Sequence, residues 1–313
     1  ANVIKLRKGL DINLKGKAAE EKATIKSTGL YALVPDDFVG VKPKVIAKEG
    51  DDVKVGSVLF VDKKHPEVKF VSPVSGKVSL IERGERRKVL SVQVTAAAQQ
   101  EYVDFGKKDL AGMKGAEVLA TLLETGLFAF FRQRPYDMTP NPEIAPKGIF
   151  ISAFNSMPLA QDFEFALQDN ETDFQTGLDA LAKIAPTHLG ISTKQTASAL
   201  THAKNVTVTA FDGPNPAGNV GVQINHVSPV NKGEVVWTVN SEVVIFIGRL
   251  FNTGHVDMTR TVAFAGSEVQ SPRYVNMLVG QQLTTLVEGH VSTDKKVRII
   301  NGNVLTGSKT CKD

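Results

Sequence analysis

The chain has 313 residues, 42% of them hydrophobic and 22% charged, with a net charge of +4 and one cysteine, Cys311. This is globular composition long enough for about two or three domains, and it excludes a disulfide framework, a CxxC motif and a cysteine-ligated cluster held by this chain alone. The small positive charge, with basic residues not interleaved with aromatics, argues against a nucleic-acid surface, and no apolar run approaches the roughly 20 residues of a membrane span.

The amino terminus, ANVIKLRKGLDINLKGK, lacks the apolar stretch of a signal peptide. Val3, Ile4 and Leu6 predict a first short strand, with Gly9 and Gly16 allowing turns. From Val39 to Val94 short apolar runs (Val45-Ile46, Val58 to Val61, Val68 to Val71, Val78 to Ile81, Val89 to Val94) alternate with turn clusters such as Glu49-Gly50-Asp51, His65-Pro66 and Ser75-Gly76. Evenly spaced strands with Gly- and Pro-marked turns predict a small all-β unit. The order EGD, KVGSVLF, charged hairpin, VSPVSGKV resembles the biotinyl/lipoyl barrel-sandwich hybrid. In those carriers a lysine at the hairpin tip bears the cofactor, which singles out Lys63 and Lys64. The hairpin Asp62 to Glu67 is longer than the carrier pattern, doubles the lysine and adds Pro66, so a solvated basic tip is expected instead.

The pattern changes around Thr95 to Gln100. Gly115 to Thr125 places Val118, Leu119, Leu122 and Leu123 on one helical face, with Gly126 as the stop. Leu127 to Pro142 is dense in aromatics, Arg and Pro, and Gly148 to Phe154 reads as a buried strand. Helical patterns follow near Leu159 to Leu167 and Glu171 to Ile184, the second with Asn170 placed to cap it. His188 to Ile191 and Val206 to Phe211 are strand-like, with a helical stretch between, and this alternation predicts an α/β layer with a mainly parallel sheet. Ser241 to Asn252 predicts a helix with Val243, Val244, Ile247, Leu250 and Phe251 on one face and Gly254 just beyond its end. A strand at Met258 to Ala265, then Tyr274 to Gly289 and Val297 to Gly307, predict a third, small mixed unit of β-grasp character.

Chemistry-bearing motifs fail on spacing. The loop Asp212 to Gly221 (DGPNPAGNVG) follows a strand, where such sheets bind anions, but it is not G-x-G-x-x-G and its two prolines fit a structural turn better. Gly302 to Thr310 (GNVLTGSKT) has Ser308 between the last Gly and the Lys, which breaks the phosphate-cradling geometry of a P-loop. The histidines (His65, His188, His202, His226, His255, His290) include no i, i+3 or i, i+4 pair, and His255 with Asp257 is a weak metal pair. No G-x-S-x-G elbow is present. The residues by themselves give no catalytic centre.

The runs KGLDI, EGD…VGSVLFVDKKHPEV…SPVSGKV…RGERRKVLSVQV, ETGLF…RQRPY, GPNPAGNVG, VVWTVN, VIFIGRLFNTG and GQQLTTLVEG, in this order, are similar to the NqrA family of the sodium-translocating NADH:quinone oxidoreductases. Members of that family run longer at the carboxy end, so the resemblance implies a chain lacking a carboxy-terminal region. It implies a barrel-sandwich hybrid over residues 1–100 including the N-terminal strands, a Rossmann-like α/β domain over 101–256 and a β-grasp domain over 257–313. It further implies a peripheral protein on the cytoplasmic side of the cell membrane, partnered by the other components of the complex and above all the quinone-side membrane component. That complex carries electrons from NADH to ubiquinone or menaquinone and exports Na+. The related RnfC protein of the Rnf complex carries a glycine-rich flavin/NADH loop where this chain has LFAFFRQR, so no redox cofactor of its own is expected. A scaffold role, or a flavin- or NADH-binding role as in the Rnf relative, are the alternatives.

A quinone site needs apolar and aromatic walls with one or two donors for the carbonyl oxygens. Phe128, Phe130, Phe131, Arg132, Arg134 and Tyr136 supply both kinds in one segment. The resemblance associates quinone with this stretch and with Val34 to Val41, so Phe131, Arg134 and Tyr136, with Val34, Phe38 and Val39 opposite, are the expected quinone-site residues. The competing expectation is that the phenylalanines are core and Arg134 pairs with a carboxylate.

Overall fold

The structure is a computed structural model describing residues 2–6, 19–24, 29–155, 162–264, 273–278, 299–301 and 308–310. Gly9, Gly16, the KGLDI run, the start of the helix expected near Leu159, the elements expected beyond residue 278 apart from two short strands, and Cys311 lie outside the described residues.

In chain order the strands are β1 (Asn2–Lys5), β2 (Ala19–Thr24), β3 (Leu30–Leu33), β4 (Pro43–Val45), β5 (Asp52–Val53), β6 (Val58–Asp62), β7 (Lys69–Val71), β8 (Gly76–Arg83) and β9 (Val89–Ala96). Then follow α1 (Gly115–Glu124), β10 (Arg132–Arg134), β11 (Ile149–Ser152), α2 (Phe163–Leu167), α3 (Glu171–Ile184), β12 (Thr187–Ser192), α4 (Ser198–Thr201) and β13 (Thr207–Asp212). The last are α5 (Val220–Val227), β14 (Val236–Thr238), α6 (Ser241–Thr253), β15 (Thr259–Phe264), β16 (Arg273–Leu278), β17 (Ile299–Asn301) and β18 (Ser308–Thr310).

The β unit is two antiparallel sheets, ordered β3-β9-β8-β5 and β4-β6-β7. Its core is formed by Val89, Ser91, Val92 and Val94 on β9, Leu59 and Phe60 on β6, Phe70 on β7 and Val78 on β8, and consecutive burial at Ser91–Val92 and Leu59–Phe60 shows those strands covered on both faces. Phe60 and Phe70 stack at 4.5 Å at the centre. The carboxylate of Asp62, itself buried, accepts from the backbone N–H of Lys42 and Lys64 and fastens the β6–β7 hairpin to β4.

The second layer is a six-stranded sheet, β1-β13-β12-β11-β14-β10, parallel except for the edge strand β10. Strands buried on both faces read as continuous apolar runs, and β11 shows why: Ile149 and Ile151 enter the main core while Phe150 packs with Ile224 and Val236 under α5. Against the main-core face lie α3 and α6, which cross where each has a glycine; a Cβ on Gly177 would overlap the carbonyl of Val244, and one on Gly248 that of Asp173. Helix α6 ends at Gly254 in the left-handed region, as the sequence predicts. It is buried on more faces than its expected stripe, since Ile245 and Phe246 are also enclosed. Phe246 meets Phe130 edge-on at 6.3 Å.

The N-terminal strands pair outside the two sheets of the β unit: β1 pairs in parallel with β13, and β2 pairs in parallel with β16. Parallel partners are not joined by a turn, so nothing local in the sequence names them. Asn170 stands at the start of α3, but its side chain makes no cap; it donates to the carbonyls of Ala166 and Gln168 and accepts from Arg249.

His188 on β12 stacks on Phe150 at 4.6 Å, and its buried Nδ1 has no hydrogen-bond partner among the described residues. Burial lowers its pKa below the ordinary 6.5. The unfolded chain therefore binds the extra proton more readily, so stability is full above that ordinary value and falls as the pH drops below it. Urea midpoints at about pH 7.5 and about pH 5.5 should differ more for the wild type than for His188→Phe, which keeps a ring against Phe150. Equal differences would remove His188 as the titrating group.

Candidate functional site

The segment after α1 sets the site. Gly126 turns in the left-handed region against Val71 of the β unit, and a single 3-10 turn over Leu127–Phe130 follows. Burying Leu127 and Phe128 here drives the chain into the junction between the two layers. Strand β10 then carries Arg132 to Arg134 along the edge of β14, and a tight reversal returns Met138 to Gln133.

This brings together the two stretches that the resemblance associates with quinone, about a hundred residues apart in the chain. The Thr139 N–H donates to the carbonyl of Val39 at 3.0 Å. Arg132 donates to the carbonyls of Ala129, Phe131 and Asp37 at 3.1, 2.9 and 3.2 Å, and its guanidinium lies 5.8 Å from the centre of the Phe38 ring. Phe38 packs edge-on against Phe70 at 4.7 Å and tilted against Phe130 at 6.2 Å. Gly40 runs beside the Met138 side chain, 3.1 Å from where a Cβ would stand.

The expected residues separate into three groups. Val39 and Tyr136 are exposed, at 52% and 76%, and present side chains to solvent on this surface. Val34 is half-buried and Phe38 is buried. Phe131 does not face the surface: it is fully buried, stacked on Phe128 at 5.7 Å and edge-on to Trp237 at 5.9 Å. Arg134 is half-buried, 3.9 Å from the Asp137 carboxylate, with its Nη1 near Gly221 at the start of α5. The competing expectation therefore describes Phe131 and part of Arg134. Absent from the expected set are Arg132 as a clamp, Asp37, Met138 and Thr139; the charged RQR triplet within an aromatic run is the signal that points to Arg132.

Electrostatics here are tense. Partial burial raises the pKa of Asp37, Asp36 adds to the rise and Arg132 opposes it. Burial lowers the pKa of Arg132, with Asp137 and Asp37 opposing. Three buried donor atoms in this neighbourhood, Arg134 Nε, Thr139 Oγ1 and Trp237 Nε1, have no hydrogen-bond acceptor among the described residues. Elsewhere, a cavity of about 220 Å³ lies between α6, the α2–α3 turn and β15, lined by Asp169, Glu242, Phe246, Arg249 and Arg260 among others. The loop over 212–221 is a closed turn. Asn219 caps α5 through its side chain, and Gln223, buried against Gly190, bonds to Ser152 and the Ala217 carbonyl.

Residues 4–97 match the family described as the NqrA N-terminal barrel-sandwich hybrid domain, residues 113–256 the NqrA second alpha/beta domain, and residues 261–312 the NQRA C-terminal domain. A barrel-sandwich hybrid joined to this α/β layer defines the class: a component of a multi-subunit NADH-quinone reductase. The chain is 35% identical over 312 residues to the NqrA protein of the Na(+)-translocating NADH-quinone reductase of Neisseria meningitidis serogroup B, covering 98% of this chain and 69% of that one. It is 36% identical over 311 residues to the corresponding protein of Pseudomonas aeruginosa (97% and 68% covered), and 35% over 308 to that of Vibrio vulnificus (98% and 69%). The chain belongs to the NqrA family of the Na(+)-translocating NADH-quinone reductase. Among the described residues no helix is long and apolar enough to cross a membrane.

Proposed function

We propose that the chain acts as a peripheral, quinone-associated component of the reductase on the cytoplasmic side of the membrane. In this reading it has no redox cofactor of its own, and the surface formed by residues 34–41 and 131–139 adjoins the quinone. The observation that carries this reading is the contact of those two stretches, fixed by the Thr139–Val39 and Arg132–Asp37 hydrogen bonds. Phe38 and Met138 supply apolar wall, Val39 and Tyr136 an exposed apolar rim, and the orphaned hydroxyl of Thr139 is the kind of group that a carbonyl oxygen satisfies. Phe131 belongs to the supporting core in this reading, and Arg134 to its edge. The single cysteine and the LFAFFRQR stretch where the Rnf relative is glycine-rich support the absence of a redox group.

The test uses the assembled complex with Val39→Asp and Tyr136→Ala together. Quinone KM is expected to rise about tenfold or more, as loss of an apolar rim would give, while NADH oxidation by artificial acceptors is unchanged. Unaltered quinone kinetics would leave the chain as an assembly scaffold, the reading favoured by the internal use of Arg132 and Phe131. Loss of both activities would point instead to a role on the NADH side.

A further inference from the structure

Next to the Val39–Tyr136 rim the β unit carries a face of unpaired positive charge. Along β4 and its extension, period-two alternation puts Lys42, Lys44 and Ile46 outward, all exposed, while Val45 is half-buried and Ala47 buried. The β6–β7 hairpin brings Lys63 and Lys64 to the same corner, where the Lys63 N–H donates to the carbonyl of Lys42 at 2.8 Å. Both hairpin lysines are exposed. Among the described residues none of these four ammonium groups has an ion-pair partner, whereas Lys77, Lys88 and Lys147 each do.

The nearby carboxylates are each engaged elsewhere: Asp62 is 5% exposed and committed to two backbone N–H groups, Glu67 lies beside His65, Asp36 pairs with Lys88 at 2.9 Å, Asp137 lies 3.9 Å from Arg134, and the exposed Asp37 faces Arg132. The chain from Lys42 leads back through Val41 and Gly40 to Val39, whose carbonyl is bonded to Thr139 three residues from Tyr136. Four exposed lysines thus lie along the same run of chain and its hairpin neighbour as two exposed aliphatic side chains, Ile46 at 49% and Val39 at 52%, with Tyr136 at 76% on the reversal that Val39 is bonded to.

We propose that this face, Lys42, Lys44, Lys63 and Lys64 together with Ile46, Val39 and Tyr136, docks on the anionic surface of a lipid bilayer. Ammonium groups on flexible stems reach headgroup phosphates, and an aromatic ring beside aliphatic side chains suits the level just beneath them. Lysines on an edge strand also prevent strand addition, but that role needs neither the hairpin lysines nor apolar side chains among them. The inference rests on the proposed quinone surface only for its use: a lipid-borne ligand would reach the rim without crossing water.

The test is co-sedimentation of the full chain with quinone-free vesicles, either of neutral phosphatidylcholine or with about a quarter phosphatidylglycerol. Binding is expected only to the anionic vesicles and lost at about 0.5 M salt, where screening is short. Lys42→Glu, Lys63→Glu and Lys64→Glu together should weaken it by roughly a hundredfold or more, with an unchanged thermal melt. The control is Lys77→Glu, a charge reversal at an already paired lysine, which should bind as wild type. No binding to anionic vesicles, or equal binding by the triple variant, overturns the proposal. So does failure to bind vesicles while the triple variant fails to assemble into the complex, which would assign the face to an acidic protein partner. Because the lysine variants leave Val39 and Tyr136 intact, their failure is separate from failure of the quinone reading.

Discussion

Gly248→Ala is expected to destabilise the chain by about 3 kcal/mol or more, at the upper end of overpacking costs. The added methyl overlaps the backbone carbonyl of Asp173, not a side chain that could swing aside, so α3 and α6 must separate. The same crossing has Gly177 against the Val244 carbonyl, and the pair buries Phe174, Leu178, Leu181, Val244, Ile247 and Phe251 in a common core. Separation there loosens many contacts at once. A thermal melt should show a fall of roughly 5–10 °C for a chain of this size. Gly112→Ala is the control, since nothing lies within 4 Å of a Cβ at that position and its backbone is ordinary. Equal melts for the two variants would show that the crossing relaxes without cost.

The second large effect belongs to Arg132→Ala. Its guanidinium satisfies three backbone carbonyls on two segments and covers the Phe38 ring. Truncation leaves those carbonyls without a donor and opens the junction between residues 34–41 and 129–139, at a cost of about 2–4 kcal/mol. If that junction adjoins quinone, the complex should also lose about tenfold or more in quinone reduction while keeping NADH oxidation by artificial acceptors. Arg132→Lys should restore little, because one ammonium cannot reproduce the planar fork that serves three acceptors. A fully active, fully stable Arg132→Ala complex would refute the clamp. Stability lost without any change in quinone kinetics would keep the clamp and separate it from function.

Where the chemistry of an element is local, it was legible in the residues. The α6 helix over Ser241–Thr253 carries its own stop at Gly254, α1 ends before Gly126, and the runs of β6, β8 and β9 are bounded by Gly and Pro turns. The candidate site was legible in part. Aromatics and arginines between Leu127 and Tyr136 marked the segment, but which ring faces inward was not readable, because Phe128, Phe130 and Phe131 are chemically alike. Their fates depend on Trp237 and Phe246, which lie about a hundred residues further along the chain.

By itself the sequence determined the β unit, the α/β alternation, the helix ends and, through ordered motifs along the chain, the family. Tertiary structure alone decided that β1 pairs with β13 and β2 with β16, that Asn170 holds Arg249 instead of capping α3, and that Arg132 ties two distant loops together. The division has one physical origin: turns and glycine helix stops are settled by neighbours a few residues away, whereas parallel pairing, the use of a capping side chain, buried donors and ring packing are settled by groups that meet only after the chain has folded.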